Sequence, residues 1–152
     1  MILYLDTSAL VKAHVEEQHC GTVRRWIESA TVVATSVVAY PEAAAAFARK
    51  NREGGIGKDA LDRVLAALER DWADCAVLEV QEKAAGALAV QHALRGFDAV
   101  HLSAALALQA EAPKGTVAFC AFDDKLTRAA IAEGLATLEP QQDRHRENES
   151  LR

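Results

Sequence analysis

The sequence lacks the features that place a chain in a membrane or hold it together by covalent crosslinks. No apolar segment approaches the ~20 residues of a membrane span, and the amino terminus lacks the basic flank and long apolar stretch of a signal peptide. The three cysteines are odd in number, far apart and without Cys-x-x-Cys spacing, which argues against a disulfide framework and a zinc ribbon. We therefore expect a cytoplasmic protein that contacts no membrane.

Two further absences limit the function classes. The net charge is −5, so the chain has no excess of positive charge with which to hold nucleic acid nonspecifically. A nuclease stays possible, because bound divalent cations reverse the field around a cluster of acids. The sequence also has no G-x-G-x-x-G segment, which opposes a dinucleotide-binding fold.

The chain of 152 residues is the size of a single domain with a substantial core. We expect that domain to cover residues 1–140. Residues 141–152 are polar, balanced in sign and without apolar periodicity, so they are predicted to be a tail that is disordered or ordered by a partner.

Short apolar or β-branched runs alternate with helical patterns along the chain. Strands are predicted at residues 2–5, 31–35, 76–80, 117–121 and 135–138. Strands that alternate with helices indicate βαβ units and right-handed crossovers. The predicted fold class is α/β, a three-layer α/β/α sandwich with a mostly parallel sheet of four to five strands.

Two helix boundaries are less regular in the sequence. Pro41 follows a segment that Ser36 could cap, so we expect a distorted first turn or a helix that begins at Pro41. Further on, Arg95 and Gly96 are predicted to close one helix, and Phe97 and Asp98 to open the next.

Four acids lie at strand or helix boundaries: Asp6 after the first strand, Glu42 and Asp98 near helix starts, and Asp123 after the fourth strand. Each alone is explained equally well as a complement to a helix dipole. In a parallel sheet, however, Asp6 and Asp123 share the carboxyl edge, and helix starts beside that edge can bring Glu42 and Asp98 towards them. Such a cluster of oxygen ligands favours Mg²⁺ or Mn²⁺.

The stretches YLDTSALVK, TSVVAYPEAAAAFAR, FDAVHLSAALAL and FCAFDDKLTRAA resemble the four signature segments of PIN-domain ribonucleases. The resemblance is greatest to the VapC toxins of bacterial toxin–antitoxin pairs, and it extends to about Pro140. It implies that Asp6, Glu42, Asp98 and Asp123 are the catalytic acids that bind Mg²⁺ or Mn²⁺, with the hydroxyls of Thr7 and Ser8 beside Asp6. The doubled acid Asp123-Asp124 departs from the family pattern, and Asp124 could share the role of Asp123.

The resemblance also implies an activity and partners. The expected function is a metal-dependent endoribonuclease toxin that hydrolyses RNA with metal-activated water, paired with a VapB-type antitoxin and assembled as a homodimer. One alternative is a PIN-like interaction module that has lost catalysis and binds an antitoxin-like partner or RNA. A phosphohydrolase of the haloacid-dehalogenase type is opposed by Ser8, which stands where that chemistry needs a second Asp.

Several other residues are candidates for lesser roles. His101, one turn after Asp98, is expected to be packed or to support a ligand. Trp26 and Trp72 lie on apolar helical faces and are predicted to belong to the core or a subunit interface. The basic residues that could contact an RNA backbone are Lys12, Arg49, Lys50, Arg52 and Lys125.

Overall fold

A five-stranded sheet forms the middle layer of the fold. The computed structural model describes residues 1–140, and the predicted tail lies outside these residues. The strands are β1 (Ile2–Leu5), β2 (Val32–Ser36), β3 (Ala76–Leu78), β4 (Val117–Cys120) and β5 (Ala136–Thr137), in the spatial order β3-β2-β1-β4-β5. Each adjacent pair is parallel, which confirms the predicted sheet and makes β1 its central strand.

Helices cover both faces of the sheet. The first face carries α1 (Thr7–His14), α2 (Cys20–Ser29), α3 (Ala39–Arg52) and α4 (Lys58–Trp72), and the second carries α5 (Glu82–His92), α6 (Gly96–Glu111) and α7 (Asp124–Ala132). Successive side chains of a strand point to opposite faces. Leu3 and Leu5 therefore pack with the first group of helices, whereas Tyr4 packs with the second. This arrangement confirms the three-layer sandwich.

Both irregular boundaries differ from the sequence-based expectation. Helix α3 begins at Ala39, two residues before Pro41, and the proline is accommodated because the first N–H groups of a helix have no partner inside it. Helix α5 ends at His92, and Ala93 takes the left-handed conformation, with φ 52°, that turns the chain. Arg95 is then the residue that precedes α6, and Gly96 is its first residue.

Trp26 and Trp72 are partly buried against the core of the first face, as predicted. Trp72 meets Tyr40 edge to face, with ring centroids 5.1 Å apart. None of the helices in residues 1–140 combines the length and apolar composition needed to cross a bilayer.

Candidate active site

Asp6 stands at the carboxyl end of the central strand and is almost completely buried, with 4 % of its surface exposed. Its extended backbone makes it the cap of α1: Oδ1 accepts hydrogen bonds from Ala9 N at 2.9 Å and Ser8 Oγ at 2.7 Å. Ser8 Oγ in turn accepts from Phe122 N at 3.0 Å. The serine thereby joins the end of β1 to the segment that carries Asp123.

Glu42 lies in the first turn of α3 and reaches back to the start of α1. Its Oε1 accepts a hydrogen bond from Thr7 Oγ1 at 2.8 Å and lies 3.4 Å from Nε2 of His101. Burial acts to raise the pKa of Glu42, but the hydrogen bonds from His101 and Thr7 outweigh it and lower that pKa below its ordinary value. Glu42 is therefore held as an ionised carboxylate.

Asp98 lies in the first turn of α6, where it is paired with Arg95. The Nε of Arg95 donates to Asp98 Oδ2 at 3.0 Å, although the arginine side chain is 81 % exposed. This hydrogen bond and the charge of Asp98 raise the pKa of Arg95, and the charges of Asp123 and Glu42 contribute to the rise. The guanidinium is thus a cation within electrostatic reach of three of the predicted ligands.

Asp123 caps α7, with Oδ1 accepting from Leu126 N at 2.8 Å. The neighbouring Asp124 is the first residue of α7 and is exposed. Because the two carboxylates follow β4 at the same edge that Asp6 occupies after β1, the parallel sheet places them as expected.

The four predicted acids share one arrangement of hydrogen bonds. In each, one carboxylate oxygen is fixed by a donor, and the second oxygen accepts no hydrogen bond from the described residues. Residues 1–140 contain no group of three His, Cys, Asp or Glu side chains that is arranged to hold a metal ion as it stands. Each acid is nevertheless anchored on its own element with one oxygen left for a ligand.

The electrostatics of Asp6 fit a cation. Burial raises the pKa of Asp6 above its ordinary value, against the opposing effects of His101, Ser8 and Ala9, and the charge of Asp98 raises it further. A buried carboxylate beside a second one is stabilised in its charged form by a nearby cation. The oxygen-only donor set of the four acids is the set that Mg²⁺ and Mn²⁺ prefer.

Behind the acids lies a buried network that sequence reasoning found only in part. His101, 2 % exposed, has Nδ1 at 3.0 Å from the hydroxyl of Tyr4 and Nε2 at 2.9 Å from Thr7 Oγ1. The structure thus confirms that His101 is packed in the interior, beside Glu42 and Thr7. Tyr4 was missed, although a tyrosine within an apolar strand signals a hydroxyl that needs a buried partner.

The predicted basic contacts to RNA are reduced by internal ion pairs. Lys12 and Lys50 both bind the carboxylate of Glu17, at 3.0 Å and 2.8 Å. Arg49, Arg52 and Lys125 are exposed on α3 and α7. The sequence analysis predicts no functional role for Arg95, although its spacing of three residues before Asp98 at a helix start is an available signal.

An open cavity of about 950 Å³ has Asp124 in its lining but none of the four predicted acids. It is bordered by α2, by the start of α7 and by residues 138–140, and Phe122 and Asp124 line its near side. His19 stacks on Phe122 with ring centroids 5.8 Å apart, and Lys12 lies over the same ring at 4.9 Å. Ala121 and Phe122, which follow β4, also belong to its lining.

Comparison with known proteins is consistent with this geometry. Residues 3–132 match the family model described as PIN domain. "Ribonuclease VapC45" of Mycobacterium tuberculosis is 39 % identical over 114 residues, which cover 70 % of this chain and 76 % of that protein. "Ribonuclease VapC46" of the same species is 32 % identical over 138 residues, which cover 91 % and 97 %.

The fold is also found in a solved structure, VapBC2 from Rickettsia felis bound to a DNA fragment from their promoter. The superposition has a TM-score of 0.61 at 14 % identity and covers 91 % of this chain and 98 % of the other. At that identity the similarity shows the fold alone. The family assignment depends instead on the family model, which matches residues 3–132, and on VapC46, which aligns with this chain over nearly its whole length. This chain belongs to the PIN-domain family and, within it, to the VapC-type ribonucleases.

Proposed function

We propose that the chain is a metal-dependent endoribonuclease and the toxin of a toxin–antitoxin pair. The observation that carries this proposal is the set of four acids, each fixed through one oxygen at the carboxyl edge of the sheet. We propose that Asp6, Glu42, Asp98 and Asp123 hold Mg²⁺ or Mn²⁺. A divalent ion bound there supplies an activated water and neutralises charge on the phosphate.

The protein's own residues would position the metal ion, the attacking water and the phosphate. Asp6 is rigid because it is buried and accepts two hydrogen bonds from α1. Glu42, ionised and held by Thr7, is placed to orient or accept a proton from the attacking water. The exposed Arg95 is placed to contact a phosphate once a cation has replaced it beside Asp98.

The proposed partners are RNA as substrate, a VapB-type antitoxin and a second copy of this chain. Support for the antitoxin comes from the fold of VapBC2 and from the VapC relatives. An antitoxin segment with a basic side chain matches the acidic edge in charge. The dimer is tested directly by light scattering of the antitoxin-free chain, in which a monomer at micromolar concentration rejects it.

The decisive experiment is cleavage of a structured RNA pool by the antitoxin-free protein with Mg²⁺, Mn²⁺ or EDTA. We expect metal-dependent cuts that fall by at least ~10²-fold in Asp6→Asn and Asp98→Asn. The matched control is Asp59→Asn, which removes an exposed acid from the first turn of α4, away from the sheet edge. Because Asp59 only complements a helix dipole, its variant should cut like the parent.

The outcomes separate the alternatives. Equal loss of cutting in Asp59→Asn and Asp98→Asn contradicts a specific role for Asp98. No cutting of any RNA, together with no Mn²⁺ binding, favours the catalytically inactive PIN-like interaction module instead. Cleavage by Asp124→Asn then shows whether the second acid of the doublet shares the role of Asp123.

A further inference from the structure

A line of four hydrogen-bonded side chains runs from the core to the acidic edge. It begins at the hydroxyl of Tyr4, passes through both ring nitrogens of His101 and the hydroxyl of Thr7, and ends on Glu42 Oε1. The successive separations are 3.0, 2.9 and 2.8 Å. Tyr4 is fully buried between Phe119, with which it stacks at 5.5 Å, and the His101 ring.

The direction of this line follows from the donors that each group has. A threonine hydroxyl has one proton, and Thr7 gives it to the carboxylate of Glu42, which only accepts. The oxygen of Thr7 must therefore accept from His101, so Nε2 carries a proton. In a neutral ring the other nitrogen, Nδ1, carries no proton and accepts from the hydroxyl of Tyr4, since a buried tyrosine hydroxyl needs an acceptor.

We propose that Tyr4, His101 and Thr7 form a directed chain of hydrogen bonds that fixes the orientation of Glu42, which makes Tyr4 and His101 positioning residues for the reaction. Each donor points towards the acidic edge, from Tyr4 O–H to His101 Nδ1, from Nε2–H to Thr7, and from Thr7 O–H to Glu42. The chain holds one oxygen of Glu42 and leaves the other for a ligand. The functional part of this inference rests on the proposed ribonuclease activity.

The direction of the chain requires one tautomer of His101, which can be observed without any RNA. In metal-free full-length protein labelled with ¹⁵N-histidine, long-range proton–nitrogen spectra should show Nε2 of His101 protonated and Nδ1 unprotonated. The Nδ1 signal of His14 provides an internal reference for a protonated nitrogen in the same spectrum, because this Nδ1 faces the carbonyl oxygen of Leu10 at 2.9 Å and must donate to it, while its Nε2 lies 3.0 Å from the carboxylate of Asp71. A His101 ring with a proton on Nδ1 overturns the directed chain.

The catalytic part is tested with paired substitutions. Thr7→Val removes the hydroxyl at nearly constant volume and should lower kcat about tenfold at unchanged KM, whereas Thr7→Ser should stay within about threefold of the parent. Thr35→Val is the matched control, because Thr35 is also buried but donates its hydroxyl to the carbonyl of Leu5 and not to an acid. A purely structural role for Thr7 predicts the same result for both valine variants.

The role of Tyr4, at the buried end of the hydrogen-bond chain, is tested with a second pair of variants. Tyr4→Phe removes only the hydroxyl that holds Nδ1 of His101, so we expect a less fixed ring and a kcat about tenfold lower, while Nε2 keeps its proton because it still donates to Thr7. Tyr40→Phe is the control, since Tyr40 packs on Trp72 and takes no part in the directed chain of hydrogen bonds. Thermal unfolding of each variant confirms that it is folded before its kinetics are compared.

The results distinguish this inference from the proposed function. If the parent cuts RNA while Thr7→Val and Tyr4→Phe keep its kcat, the positioning role is wrong and the ribonuclease stands. If the parent cuts no RNA, the proposed function fails, and the tautomer of His101 still decides whether the directed chain exists.

Discussion

At the scale of single residues, Asp6 combines a functional position with a cost in stability. Its pKa is raised by burial, so folding disfavours the ionised form at neutral pH. An acid whose pKa is higher in the folded state stabilises the fold below its unfolded pKa, and that contribution is lost as the pH rises through the folded pKa. At neutral pH an ionised Asp6 therefore lowers the free energy of unfolding of the metal-free protein.

Asp6→Asn should for this reason be more stable than the parent at pH 7.5. Asparagine caps a helix as well as aspartate does, so we expect a melting temperature about 2–4 °C higher, ~1 kcal/mol, in the absence of metal. The gain should shrink as the pH falls through the raised pKa of folded Asp6, and it should vanish below the ordinary pKa of an aspartate. Asp6→Ala, which also loses the cap to Ala9 N, is the comparison. A destabilised Asp6→Asn at pH 7.5 contradicts the burial argument.

Arg95 is the residue whose role depends most on its neighbours. It forms an ion pair with Asp98, and the charges of Asp123 and Glu42 help to raise its pKa. If Asp98 is a metal ligand as proposed, the guanidinium and a divalent cation compete for this carboxylate, and removing the guanidinium should favour the ion.

We expect Arg95→Gln to bind Mn²⁺ about three- to tenfold more tightly than the parent by calorimetry, since an exposed ion pair is worth up to ~1 kcal/mol. Arg63→Gln, on α4, makes the same change in net charge away from the acids and serves as the control. Weaker Mn²⁺ binding by Arg95→Gln alone means that the arginine supports the ligand and does not compete with it.

At the scale of elements, the junction of α5 and α6 sets the position of Asp98. Helix α5 ends because Ala93 adopts φ 52°, and Leu94 N donates back to Ala89 O at 3.0 Å. This left-handed conformation is unfavourable for alanine and costs about 1–2 kcal/mol. Glycine adopts it without that cost.

Ala93→Gly should therefore raise the melting temperature, by about 2–4 °C for each ~1 kcal/mol gained. Ala93 is exposed, so the change creates no cavity. The same substitution within α5, Ala89→Gly, should destabilise by roughly 1 kcal/mol because glycine is a poor helix former. Thermal unfolding of both variants, followed by circular dichroism, checks the contrast, and equal effects would reject the role given to the left-handed turn.

These elements also show what the sequence could reveal. The run from Ile2 to Leu5 that stops at Asp6 has one explanation in an α/β chain, and the structure confirms the strand and its parallel neighbours. The boundary at Arg95 and Gly96 was assigned wrongly, because glycine also tolerates the start of a helix and Ala93 gives no sequence signal for a left-handed turn. The network of Tyr4 needed the structure, since it depends on contacts across about a hundred residues.

At the scale of the whole molecule, metal binding and stability are linked. An ion that binds only the folded state at 100 times its dissociation constant adds ~2.7 kcal/mol to the free energy of unfolding. Saturating Mn²⁺ should raise the melting temperature of the parent by roughly 5–10 °C. The double variant Asp6→Asn, Asp98→Asn should show no such shift, whereas Asp59→Asn, Asp62→Asn on α4 should respond like the parent. A shift that survives in the first double variant places the bound ion elsewhere.

The central place of β1 affects how the protein is made. This strand is made before the other four, yet one of its two partners, β4, is more than a hundred residues away along the chain. Segments emerge from the ribosome in order during synthesis. The sheet around Asp6 is therefore incomplete until β4 and Asp123 have been synthesised. The four acids cannot come together before most of the chain has been translated, so the proposed metal site forms late in synthesis.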